Sequence, residues 1–140
     1  MKGLVVDLRD NPGGNLDTVC EILDLILPEG IIVYTEDKEG KRVETKTSDE
    51  EHQFTKPMAV LVNGNSASAS EVFTGAVQDY GLGTVIGTQT FGKGIVQTLF
   101  SLDDGSCLKL TTAQYFTPNG PKYSWRGDFS RHCSGASRTV

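Results

Sequence analysis

The chain has 140 residues, of which 37% are hydrophobic and 22% charged, and its formal net charge is −5. This length and composition predict one globular domain with a single core. The acidic charge argues against nonspecific nucleic-acid binding, which depends on basic side chains that neutralise phosphates. The sequence has no run of about 18 apolar residues that could span a bilayer. Its first residues also lack the pattern of a secretory signal.

The first part of the chain predicts a strand, a loop, a helix and a hairpin. Residues 3–8 (GLVVDL) form an apolar run typical of a strand buried on both faces, and the run stops at the turn-forming segment RDNPGG. A helix is predicted from Leu16, with Asn15 as its N-cap and Pro28 and Gly30 as its stop signals. Residues 31–35 and 42–47 flank the segment DKEG, which predicts a projecting hairpin.

The same strand, loop and helix pattern then repeats. Residues 58–62 (MAVLV) predict a second buried strand, NGNSASAS a loop of small residues, and residues 72–77 one face of a helix that ends near Tyr80. Three more strands are predicted, the last two joined by a DDG turn: residues 84–87, 95–102 and 106–114. Two such units imply parallel strands in an α/β architecture, whose loops at the carboxyl ends of the strands gather ligand-binding groups.

The last twenty residues differ from the rest. Residues 121–140 carry four Lys or Arg residues and one Asp, are rich in Ser and Gly, and show no hydrophobic period. They predict a tail that is poorly ordered or foreign to the domain. The three cysteines are widely separated and predict neither a disulfide framework nor a metal site: Cys20, Cys107 and Cys133.

A serine and a lysine are candidates for nucleophilic chemistry. A serine hydroxyl needs a base, and the two histidines are poorly placed, since His52 lies in an acidic run and His132 in the tail. Lys93 lies in an apolar, glycine-rich segment, and lysine serves as a base when its surroundings lower its pKa from about 10.4. If the chain is extended from Lys93 to Gln97, the two side chains share a face, and Gln97 can hold the amine toward Ser68.

The predicted position of Ser68 favours developing negative charge. It stands at the start of the second helix, so the amide of Ala69 points toward whatever binds there. The amide of Gly13 or Gly14 can complete an oxyanion hole, because glycine lets the backbone approach a substrate closely.

Each feature also has a simpler structural interpretation. Ser68 and Glu71 have the spacing of a capping box, and Ser66 and Ser70 offer the same chemistry as Ser68. Lys93 also fits a solvated lysine, and RDNPGG a plain tight turn whose Arg and Asp form a local ion pair. No single feature therefore separates catalysis from structure.

The combination is more specific. The order DLRDNPGG, then SASASE followed by QDYG, then FGKGIVQ resembles the carboxyl-terminal processing proteases, also called tail-specific proteases, across residues 3–120. This resemblance implies an α/β fold with a mixed sheet, related to the crotonase and Clp protease superfamily. It implies hydrolysis of peptide bonds near the carboxyl termini of proteins. The site residues that it implies are Ser68 as nucleophile, Lys93 as base, Gln97 as its support, and the amides of Ala69 and of Gly13 or Gly14. Asp79 of QDYG also matches a family position, where a structural role at the end of the helix is expected.

The resemblance also sets expectations about partners. It implies polypeptide substrates, no metal or organic cofactor, no nucleic acid, and an extracytoplasmic location. Exposed sheet edges favour a homo-oligomer. Family members usually carry a PDZ domain upstream, so residues 1–120 are expected to be a partial catalytic domain, and its activity alone stays open. Three alternatives stay open: a noncatalytic peptide-binding module of the same fold, a crotonase-like acyl-thioester enzyme, and a fragment without a function of its own.

Overall fold

Short apolar segments and two helices build a two-sheet α/β fold in the computed structural model, which describes residues 1–120. The predicted tail, residues 121–140, lies outside the described residues. The elements in chain order are β1 (Leu4–Asp7), α1 (Leu16–Asp24), β2 (Gly30–Glu36), β3 (Arg42–Ser48), β4 (Met58–Val62), α2 (Ala69–Asp79), β5 (Thr84–Gly87), β6 (Ile95–Ser101) and β7 (Cys107–Phe116).

The first sheet is parallel and has the strand order β1-β4-β5. Its parallel strands are the ones that the repeated strand, loop and helix pattern predicts. Val6 lies opposite Val60, and Val60 opposite Val85, on the face that contributes to the core with the helices. The other face is open in the described chain, where Val5 is 66% and Ile86 49% exposed. The prediction that β1 is buried on both faces is therefore wrong, because the described helices cover only one face.

The second sheet is antiparallel and has the order β3-β2-β7-β6. It contains both predicted hairpins, β2-β3 and β6-β7. The turn of the first hairpin is closed by Asp37, whose Oδ1 accepts hydrogen bonds from the amides of Glu39 and Lys41. The expected single mixed sheet is wrong, since parallel and antiparallel strands form separate sheets and no described strand pairs with both.

The core lies between the two helices and the sheets. Its fully buried side chains include Leu23 of α1, Leu27 just after that helix, Val60 of β4 and Val77 of α2. Asn15 caps α1 as predicted, with Oδ1 accepting from the amide of Thr18. Neither helix of the described chain is long and apolar enough to cross a membrane.

Candidate active site

Three loops follow the three parallel strands and meet at one edge of the sheet. They comprise residues 8–15 after β1, 63–68 after β4 and 88–94 after β5. The amide of Ala67 donates to the Asn11 carbonyl oxygen at 3.1 Å, which joins the first two loops. The amide of Phe91 donates to the Ser66 carbonyl oxygen at 2.9 Å, which joins the third. All three sequence motifs are thus brought together where parallel strands gather ligand-binding groups.

Asp10 fastens the first loop to the second. Its Oδ1 accepts from Nδ2 of Asn63 at 3.0 Å and of Asn65 at 2.8 Å, and its amide donates to Asn63 Oδ1 at 3.0 Å. The side-chain hydrogen bonds from Asn65 and Asn63 hold the pKa of Asp10 below its usual value. Arg9 pairs with Asp7 instead, at 2.6 Å. The expected Arg9–Asp10 ion pair is therefore wrong, because the Asp10 carboxylate is engaged by the two asparagines.

Hydrogen bonding separates the three serines that sequence alone treats as equivalent. Ser66 is fully buried, and its hydroxyl donates to the Leu8 carbonyl oxygen at 2.7 Å. Ser70 is also buried, and its hydroxyl donates to the Asn11 carbonyl oxygen at 3.1 Å. Ser68 is partly exposed. The first two hydroxyls hold the loops together, and Ser68 is the serine left accessible at this edge.

The backbone of Ser68 is strained. Its φ of 56° and ψ of −117° form a conformation that residues with a side chain seldom adopt. Such outliers persist only where the surrounding structure fixes them, and they concentrate at functional sites. The nucleophile elbow of other hydrolases is likewise a strained turn between a strand and a helix that carries a serine.

Glu71 connects this turn to the loop that carries the lysine. The carboxylate is only 7% exposed, and its Oε2 accepts from the amide of Ser68 at 2.8 Å, in the arrangement of a capping box. The same oxygen accepts from the amide of Lys93 at 2.8 Å. Oε1 accepts from the Thr90 hydroxyl at 2.7 Å and from the Gly92 amide at 2.6 Å. The capping-box spacing predicts only the first of these four contacts.

The main chain of Lys93 therefore lies next to the main chain of Ser68. The two amide nitrogens share one carboxylate oxygen, so they lie no further apart than twice 2.8 Å. The Lys93 side chain is exposed, and so is Gln97 on β6. Phe91, expected to help surround the lysine, is 67% exposed. The apolar enclosure predicted for Lys93 is absent from the described residues.

The two candidate oxyanion glycines differ. Gly13 has φ +94°, and its amide donates to Asn11 Oδ1 at 2.9 Å. A Cβ at Gly13 would lie 2.5 Å from the Ala67 carbonyl oxygen and 2.8 Å from the Ala69 amide nitrogen. A Cβ at Gly14 would meet nothing within 4 Å, and no hydrogen bond within residues 1–120 involves the Gly14 amide. Gly13 provides the close contact between loops, and Gly14 the open amide.

Asp79 lies at the opposite end of α2 from Ser68. The helix has 11 residues, so the two are separated by about 16 Å along its axis. The Asp79 carboxylate accepts from the amide of Asn119 at 3.0 Å and fastens the turn after β7. These contacts agree with the structural role expected for this residue. Of the two histidines, His52 is exposed in the segment after β3, and His132 lies outside the described residues.

Comparison with known proteins identifies the family. The model of peptidase family S41 matches residues 1–127. The carboxy-terminal-processing protease of Bartonella bacilliformis is 48% identical over 123 residues, which are 86% of this chain and 28% of that protein. The carboxyl-terminal-processing protease of Synechocystis sp. is 47% identical over 116 residues, covering 83% of this chain and 27% of that protein.

A solved structure agrees. The photosystem II D1 C-terminal processing protease superposes with a TM-score of 0.84 and 37% identity, covering 91% of this chain and 33% of its own. The chain thus spans about a quarter to a third of the length of these relatives. The family match covers most of the chain and includes the three loops that meet at the sheet edge. The chain belongs to peptidase family S41.

Proposed function

We propose that residues 1–120 are the part of a serine endopeptidase domain that carries a Ser68–Lys93 dyad and cleaves polypeptides near their carboxyl termini. The observation that carries this proposal is the Glu71 carboxylate, which joins the main chain of the accessible, strained Ser68 to that of Lys93. The S41 family match and the names of the relatives support peptidase chemistry.

In the proposed reaction the neutral amine of Lys93 takes the proton from the Ser68 hydroxyl while Oγ bonds to the substrate carbonyl carbon. The Lys93 ammonium then returns this proton to the leaving amine as the C–N bond breaks. Water, deprotonated by the same lysine, hydrolyses the resulting ester. Lys93 is exposed, and in this scheme the substrate desolvates it, because a peptide lying over the amine removes water from it.

We assign the oxyanion hole to the amides of Ala69 and Gly14. Ala69 is the first residue of α2, so its amide has no acceptor within the helix and lies at the positive end of the helix dipole. The Gly14 amide is open, whereas the Gly13 amide already donates to Asn11. Donors fixed before the reaction stabilise the developing oxyanion without reorganisation.

The second sheet offers a place for an extended substrate. β6 is an edge strand that begins two residues after Lys93, and its outer side has no strand partner in the described chain. A peptide that adds to this edge satisfies the free backbone groups and passes beside Lys93. Gln97 on the same strand is proposed to orient the amine. An extracytoplasmic location and self-association stay predictions for the protein.

Labelling with a fluorophosphonate probe tests the dyad, because Ser68 Oγ must displace fluoride from phosphorus with the help of a base. We expect labelling that maps to Ser68 and is lost in Ser68→Ala and Lys93→Ala. Ser70→Ala and Lys109→Ala are matched controls, since Ser70 is a loop-holding neighbour and Lys109 an exposed lysine on β7. Labelling that persists in folded Lys93→Ala would rule out the lysine as base.

A second function is favoured by the exposure of Lys93. A noncatalytic module of the same fold would hold extended peptides on the β6 edge without cleaving them. Such a module would bind a carboxyl-terminal peptide with equal affinity in wild type and Ser68→Ala, and wild type would show no labelling at Ser68.

A further inference from the structure

The Glu71 carboxylate is buried with four hydrogen-bond donors around it. Its Oε1 accepts from the Thr90 hydroxyl and the Gly92 amide, and its Oε2 accepts from the amides of Ser68 and Lys93. No ion pair within residues 1–120 involves Glu71. The negative charge is thus held by neutral donors alone, three of them main-chain amides.

Capping of α2 does not account for this arrangement. A capping box needs only one hydrogen bond to the Glu71 carboxylate, from the Ser68 amide, and a solvent-exposed carboxylate can accept that bond. Here three of the four donors come from the loop after β5, about twenty residues further along the chain. The same loop is otherwise attached to the second loop by the single main-chain bond from Phe91 to Ser66. Glu71 therefore provides most of the hydrogen bonds that hold the lysine loop on the serine turn.

We propose that Glu71 is a positioning residue that fixes the distance between Ser68 and Lys93, with Thr90 as its partner. Its catalytic consequence rests on the dyad proposed above. Neither side chain touches the substrate in this scheme. Glu71 acts through the main chain of both dyad residues, and the Thr90 hydroxyl, in a side chain only 5% exposed, directs the carboxylate toward the loop.

Glutamine cannot replace this glutamate. All four partners donate, and a carboxylate accepts at both oxygens, whereas an amide accepts at one and donates at the other. In Glu71→Gln the amide nitrogen faces at least one main-chain N–H whichever way the side chain is turned, because only the Thr90 hydroxyl can change from donor to acceptor. Either the link between Ser68 and Lys93 or the hydrogen bond from Gly92 is then lost, although the volume of the side chain is unchanged.

The first measurement is amide hydrogen exchange of the full chain, because it is independent of catalysis. In wild type we expect the amides of Ser68, Gly92 and Lys93 to be protected. In Glu71→Gln we expect at least tenfold faster exchange at Gly92 or at Lys93, whichever amide loses its acceptor, with the interior of α2 exchanging as in wild type. Unchanged exchange at these two amides, or an equal rise throughout α2, would overturn the proposal.

The second measurement is the rate of fluorophosphonate labelling at Ser68 across pH. We expect about a hundredfold loss in Glu71→Gln, the size of effect that a misplacement of about 1 Å produces, with a shifted midpoint of the pH profile. Thr90→Val should lose about tenfold, and Thr90→Ser should restore the rate, since it keeps the hydroxyl. Thr74→Val is the matched control, because Thr74 is a buried threonine of α2 that bonds only within the helix, to Ser70.

The two proposals fail separately. If wild type is not labelled while Glu71→Gln still releases the Gly92 or the Lys93 amide, the positioning role stands and the peptidase proposal fails. If wild type is labelled at Ser68 and Glu71→Gln changes neither exchange nor labelling, the dyad stands and the role of Glu71 is refuted. A loss in Thr74→Val as large as in Thr90→Val would also refute it.

Discussion

Substitution of Gly13 by alanine is the sharpest test of how the loops meet. Gly13 has φ +94°, and an added Cβ would lie within 3 Å of the Ala67 carbonyl oxygen, the Ala69 amide nitrogen and Ser68 Cβ. Two of these three atoms belong to the main chain, which no side-chain rotation can move away. The first or the second loop must therefore shift, and the second contains the strained Ser68 turn.

The expected cost comes from two sources. A residue with a side chain in a left-handed conformation costs about 1–2 kcal/mol. Overpacking a close contact costs about 1–3 kcal/mol more. Together they predict that Gly13→Ala lowers the free energy of unfolding by about 2–5 kcal/mol, a large part of the 5–15 kcal/mol typical of a domain. The free energy of unfolding is measured by urea titration.

Gly14→Ala is the matched control in the adjacent residue. Its Cβ would meet nothing within 4 Å and its φ is not in the left-handed region, so we expect a change within about 0.5 kcal/mol. The packing argument is refuted if the two alanine variants lose equal stability, or if Gly13→Ala unfolds at the wild-type urea concentration.

Three further predictions concern the rest of the described chain. The hydrogen bond and charge of Arg9 lower the pKa of Asp7 from 3.8 to about 2. The stability that this pair contributes is therefore complete above pH 4 and is lost as the pH falls toward 2. NMR titration of the Asp7 carboxyl should show a midpoint near 2, and Arg9→Gln should return that midpoint toward 3.8. Burial raises the pKa of the Cys20 thiol to about 11, so alkylation at pH 8 with peptide mapping should modify exposed Cys107 well before Cys20. Asp79→Ala should lower the free energy of unfolding by about 1–3 kcal/mol while the folded protein labels at Ser68 like wild type, and a labelling defect in folded protein would contradict the structural role.

Local signals predicted most of the fold. The segments MAVLV and TVIG coincide with β4 and β5, and Asn15 caps α1, because apolar runs, turn formers and capping residues act over a few neighbours. The sequence places the end of α1 too late. The helix ends at Asp24, and the amides of Ile26 and Leu27 both bond to the Leu23 carbonyl oxygen, so a tight turn precedes the stop signals Pro28 and Gly30.

Features that depend on tertiary packing were beyond local pattern. The apolar run of β1 predicts burial on both faces, yet periodicity cannot show whether a second layer covers a strand. The choice among Ser66, Ser68 and Ser70 depends on which hydroxyls reach carbonyl groups of the first loop, 58 and 59 residues away for two of them. The resemblance implied Ser68 as the nucleophile, which stays a prediction, and the hydrogen bonds show that Ser68 is the accessible one of the three serines.

The lysine shows where backbone geometry stops determining chemistry. Hydrogen bonds from the amides of Ser68 and Lys93 to one carboxylate fix the main-chain positions of the two residues. The amine, in contrast, lies at the end of a flexible side chain that is exposed. Proximity of the main chains alone does not make a base, because an amine that takes a proton must also be held against the hydroxyl and shielded from water. The proposed dyad thus requires two separate conditions, a fixed loop and a desolvated amine. In the proposed scheme Glu71 provides the first, and an extended peptide on the β6 edge provides the second, so that substrate binding itself activates Lys93.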